Sequence, residues 1–158
     1  MFKEEFNNVI SAGRRKIDLL NNSKGRYLVY AMLAGLYVSF GIMLAFTIGG
    51  ILDSANSPNT KIMMGASFGV ALSLVVFAGS ELFTGNNFVM TIGMLNKKIT
   101  FKECWKIWGL AYIGNFLGSI IAALGFIVAG LTKGSVSDFM IKTAEIKISL
   151  PPEQLFIR

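Results

Sequence analysis

Gly79-Ser80-Glu81-Leu82-Phe83-Thr84-Gly85-Asn86-Asn87 interrupts an apolar stretch that runs over residues 62–95. Residues 62–78 read as an ordinary membrane span, and apolar character returns over 88–95. A helix needs about 20 apolar residues to cross the hydrocarbon of a bilayer. The first piece is short for a comfortable crossing, the second is shorter still, and the two joined are too long for one straight helix. A carboxylate and two Asn turned toward lipid would also be costly. Both difficulties vanish if the helix breaks at 79–87 and the polar middle lines a cavity. Irregular backbone persists at membrane depth where protein or water covers it.

The rest of the chain supports a membrane reading. Of 158 residues, 53% are hydrophobic and only 15% charged, against about a quarter charged in soluble domains. Residues 27–52 carry no charge and form span 1; residues 53–61, with Asn56, Ser57, Pro58 and Asn59, make a polar turn. Span 2 is 62–95 with its break. A basic loop follows, carrying Lys97, Lys98, Lys102 and Lys106. Span 3 covers 105–131, with Trp105 and Trp108 as interfacial anchors. Residues 132–150 are a mixed polar, extracytoplasmic segment, and Pro151-Pro152-Glu153 reads as a helix start that opens span 4 over 151–158.

Ahead of span 1, residues 3–22 form an amphipathic helix. Phe6, Val9, Ile10, Gly13, Ile17 and Leu20 share one face, while Arg14, Arg15 and Lys16 lie off it. Such a helix floats on headgroups or packs against the protein; its near-direct run into span 1 favours packing. Ten basic residues lie on the side of the N-terminus and four on the other, which puts the N-terminus in the cytoplasm. Small residues recur four apart on each span: Gly41, Ala45 and Gly49; Gly65 and Gly69; Gly114, Gly118 and Ala122. Packing within one subunit is the plain reading of these stripes, and contact with neighbouring subunits the sharper one.

The net charge of +6 could suggest nucleic acid. The basic residues cluster at the ends of apolar runs, however, so the bilayer is the expected partner. One cysteine and no histidine leave no disulfide, no metal set and no common acid–base group. With no nucleophile–base pair and no cofactor motif, an enzyme is not expected.

Chemistry concentrates at the break. Glu81 either bonds unwound backbone or serves as a proton or ion site; a free carboxylate would repel an anion and need compensation. The Thr84 hydroxyl, beside flexible Gly85, can turn toward a lumen and donate to a solute. Phe68 and Leu72 lie one turn apart before the break. They could form an apolar constriction, closed from the break by Leu82 or Phe83.

The run Gly79 to Asn86 resembles the signature of the formate/nitrite transporter family at its first broken helix. Thr143-Ala144-Glu145-Ile146-Lys147, followed by a proline-bearing helix start, resembles the segment before that family's fourth span. The resemblance runs along the whole chain and covers about the first three fifths of a family member. It implies an all-α, aquaporin-like transmembrane bundle, of which this is the N-terminal part of a six-span protomer. It further implies a homopentamer in the bacterial cytoplasmic membrane, with a pore for small monovalent anions in each protomer. By the same pattern Thr84 sits on the loop of the break, supported by Glu81, Gly85 and Asn86. Phe68, Leu72, Leu82 and Phe83 line apolar narrowings, and Lys147 is the basic residue near the pore. The family's second broken helix carries a pore histidine, so this chain is expected either to be a fragment or to lack a complete pore.

An anion drawn in by Lys147 and partly coordinated by Thr84 could pass the narrowings once protonated to a neutral weak acid. Formate, nitrite and hydrosulfide all qualify. Ser80 and the Gly85-Asn86-Asn87 run resemble the hydrosulfide-transporting branch most. An aquaporin-type channel for neutral solutes would be expected to carry Asn-Pro-Ala at the break. A non-transporting membrane scaffold would gain nothing from a buried Glu-Thr-Asn cluster.

Overall fold

A computed structural model describes residues 2–157. All its regular structure is helical: α1 (Lys3–Asn22), α2 (Lys24–Ser54), α3 (Thr60–Ala78), α4 (Phe83–Leu95), α5 (Phe101–Val128), α6 (Ser135–Ile148) and α7 (Pro152–Ile157). The last of these lies within the expected start of span 4, whose final residue, Arg158, lies outside the described residues. Three helices, α2, α3 and α5, are long and apolar enough to cross a membrane.

Ser23 divides α1 from α2. Its extended backbone ends the first helix, and its hydroxyl accepts from the Arg26 N–H at 3.3 Å to open the second. α1 therefore folds back and packs its apolar stripe inward. Ile17 and Leu20 join Tyr27, Met90, Ile99, Cys104, Ile107 and Ala111 in the main buried cluster.

α2 and α5 run parallel, and glycine lets them touch backbone to backbone. A methyl group at Gly35 would overlap the Asn115 carbonyl, and one at Gly118 would overlap that of Met32. α3 runs antiparallel along α2, where Gly41 faces Ala71 with room for no more than a hydrogen. The small-residue stripes of the first and third spans are thus spent inside this chain. The stripe of the second is not: at Gly65 and Gly69 an added side chain would meet nothing within 4 Å.

Two expectations need correcting. The break is narrower than 79–87, because α4 already starts at Phe83 and takes in Thr84, Gly85, Asn86 and Asn87. Those polar side chains read as loop, but the helix continues because its backbone groups then pair internally. The mixed segment 132–150 also holds a helix, α6, which lies against the far end of α2. Phe139 packs on Phe46 and Gly49 there, and Lys142 pairs with Asp53 at 3.0 Å.

Candidate functional site

The interruption of the second span is four residues long. Gly79 ends α3 in the left-handed conformation (φ 67°), which only glycine adopts without strain, and the Ser80 N–H returns to the Val75 carbonyl at 3.2 Å. Leu82 is extended, and α4 begins. The break lies beside the first third of α2 and the middle of α5, because Glu81 donates its N–H to the Tyr30 carbonyl at 3.2 Å.

Asn115 of α5 closes the exposed backbone. Its Oδ1 accepts from the Phe83 N–H at 2.9 Å, and its Nδ2 donates to the carbonyls of Ala31 at 2.8 Å and Glu81 at 3.0 Å. One amide thereby ties α2, the break and α5 together. This is the backbone-supporting role that sequence reasoning offered to the Glu81 side chain.

The Glu81 carboxylate, on a residue only 6% exposed, does something else. Lys16 Nζ approaches its two oxygens at 2.8 and 2.9 Å, and Asn86 Nδ2 donates to it at 3.0 Å. Asn86 Nδ2 also donates to the Tyr27 hydroxyl at 2.9 Å, and the Asn86 carbonyl accepts from the Trp108 indole at 3.5 Å. A buried carboxylate with a bidentate cation and an amide donor is compensated. Among the described residues no buried side-chain polar atom lacks a partner. Lys16 lies off the apolar face of α1, as the sequence indicates, yet it reaches into the protein and not to solvent. A cavity of about 230 Å³ opens beside the pair, lined by Ala12, Arg15, Lys16, Leu19 and Glu81.

The other candidates fall in four places. Thr84 is exposed in the first turn of α4, not on the loop, and Gly85 beside it faces open space. Leu82 and Phe83 are half-buried at the break, with the Phe83 ring edge-on to Tyr112 at 5.4 Å between centroids. Phe68 and Leu72 are exposed on α3, at the flank of the Ala71–Val75 face that packs on α2. Lys147 is not brought to the break. It stands exposed in the last turn of α6, a helix anchored on the Phe46–Asp53 end of α2, roughly 30 Å along that helix from Tyr30.

Residues 3–158 match the family model described as formate/nitrite transporter. The chain belongs to this family. It is 34% identical to the nitrite transporter NirC of Salmonella typhimurium over 100% of this chain and 58% of the relative. It is also 34% identical to the uncharacterized transporter YwcJ of Bacillus subtilis, over 91% of this chain and 57% of the relative. A solved FNT family ion channel superposes with a TM-score of 0.76 at 36% identity, covering 82% of this chain and 51% of that one. The chain thus spans less than three fifths of the length of these relatives. As a member of the family it is a multi-pass, all-α membrane protein.

Proposed function

We propose that the protein carries small monovalent anions of weak acids through a pore in each protomer, the break of the second span forming part of the pore wall. The observation that carries this reading is the neutralised carboxylate. Glu81 would repel an anion if it were free, but Lys16 and Asn86 occupy its oxygens. What the break offers a solute is then an uncharged face, with the Thr84 hydroxyl exposed beside it and apolar Phe68 and Leu72 on the preceding helix. Such a lining favours passage of the protonated acid over the bare ion, whose dehydration in an apolar constriction costs far more.

Formate and nitrite are supported by relatives: NirC is a nitrite transporter, and a formate channel of Bacillus thuringiensis is 34% identical over 87% of this chain. Hydrosulfide is the third candidate, on the strength of Ser80 and Gly85-Asn86-Asn87. The reading includes a homopentamer in the bacterial cytoplasmic membrane, with the N-terminus and its excess of basic residues inside. It is transport without catalysis.

The test is flux of formate, nitrite and hydrosulfide into proteoliposomes holding the full protein. At least one anion should pass, and Thr84→Val should slow it by about tenfold, the loss of one donor to a desolvated anion. No flux of any of the three would overturn the reading. Unchanged flux in the variant at equal protein density would remove Thr84 from it.

A further inference from the structure

Gly109 stands in α5 with open space where a side chain would lie: an added β-carbon meets nothing within 4 Å. Glycine within a helix is destabilising relative to alanine. At Gly114 and Gly118 of the same helix, close contact with α2 gives it a purpose. At Gly109 no such contact exists among the described residues. The missing side chain instead opens a slot of about 290 Å³, walled by Phe83, Trp105, Trp108 and Tyr112.

The slot lies next to a basic stretch, Lys97 to Lys106. Lys102 precedes Gly109 by two helical turns on the same face, and Lys106 by one. Side chains on a helix tilt toward its N-terminus, so both ammonium groups point from the rim of the slot toward the polar end while their stems line apolar surface. Glu103, on the same turn of α5 as Lys102, is already committed. It pairs with Arg14 at 3.2 Å and accepts from the Thr100 N–H and hydroxyl at 2.7 Å each. Lys97, Lys98, Lys102 and Lys106 therefore have no carboxylate partner among the described residues. An aromatic slot at the end of a span, rimmed by uncompensated cations, is complementary to an acyl chain joined to an anionic headgroup.

We infer that this slot binds an anionic glycerophospholipid, an acyl chain lying over Gly109 among the rings and the phosphate held by Lys102 and Lys106. Its occupant touches the break directly. The Phe83 ring walls the slot and packs edge-on against Tyr112, while the Phe83 N–H is held by Asn115. A seated chain fixes both rings and, through Phe83, the first turn of α4. The site does not depend on which solute the protein carries, or on whether it carries one.

Native mass spectrometry of the full, assembled protein tests this, with delipidated samples titrated with phosphatidylglycerol or phosphatidylcholine. Phosphatidylglycerol should be retained in preference. Replacing both lysines (Lys102→Gln with Lys106→Gln) should weaken it about thirtyfold, as expected for two cations near an anionic surface, and leave phosphatidylcholine unchanged. Gly109→Leu puts a side chain into the slot from a position where the β-carbon meets nothing within 4 Å, and should reduce retention of both lipids. Equal retention of the two lipids by the unaltered protein, or unaltered phosphatidylglycerol affinity in either variant, overturns the inference. A benzophenone photo-crosslinker at Trp105 should give a lipid adduct. An adduct between subunits would assign the slot to a second copy of the chain instead, and overturn it equally.

Discussion

Lys16 Nζ lies 2.8 and 2.9 Å from the two carboxylate oxygens of Glu81, 65 residues later in the chain. The pair fastens an amphipathic helix to the interrupted span and makes a buried carboxylate tolerable. Removing one partner of such a pair is expected to cost about 3–5 kcal/mol, and the 20% exposure of the Lys16 side chain places Lys16→Met toward the lower figure. Thermal unfolding in detergent measures it. Adding Glu81→Gln should restore most of the loss, because the amide needs no counter-charge. A single variant that melts with the unaltered protein would show that the pair contributes nothing.

Arg14 and Glu103 make the contrasting case. Their side chains are 49% and 27% exposed, so Arg14→Gln should cost less than about 1 kcal/mol. Its small effect should shrink further as salt is added, whereas that of Lys16→Met should persist. Melting curves at low and high ionic strength separate the two.

Asn115→Leu removes one acceptor and two donors from the backbone around the break. The Phe83 N–H and the Glu81 carbonyl are left without their partner, and a loss of about 2–3 kcal/mol follows. Amide exchange at Phe83 should quicken while that in the middle of α2 does not. Unchanged protection at Phe83 would mean that another group closes the break.

Two glycines on one face of α5, two turns apart, should answer differently to the same change. A methyl group at Gly118 meets the Met32 carbonyl, so Gly118→Ala should destabilise the α2–α5 contact by about 1–3 kcal/mol. Gly125 has nothing within 4 Å, and Gly125→Ala should be neutral or stabilising by up to about 1 kcal/mol. Unfolding midpoints of the two variants provide the comparison.

Lys147 is exposed at the end of the bundle away from the break, so any part it takes in uptake is long-range. Lys147→Ala should slow anion entry at low salt and have little effect near 0.15 M, where charges more than about 8 Å apart are screened. Equal slowing at both salt concentrations would point to direct coordination instead.

The interrupted span was legible because Glu81 and two Asn stand where lipid would otherwise be. Its extent was not. Asn86 and Asn87 look like loop residues, and only the fold reveals that Tyr27 and Glu81 receive the Asn86 amide within a continuing helix. The spacing puts Lys16 off the apolar stripe of α1 but does not show its partner, because Glu81 lies 65 residues away in the chain. Asn115 is a single neutral residue in an apolar run, and no motif singles it out. The signal was present: an amide at membrane depth needs partners, and the nearest unpaired backbone is a break in another helix. No periodicity in 132–150 marked α6, whose place depends on the bare backbone at Gly49 and Gly50 of α2.

Order of synthesis gives the tie between α1 and the break a further meaning. Lys16 leaves the ribosome well before Glu81, so the acid enters the apolar phase with its neutralising base already made. Trimming the leading helix would strip that base away and leave the buried carboxyl group without its counter-charge. Shortened versions should accordingly assemble in the membrane less well than the whole chain.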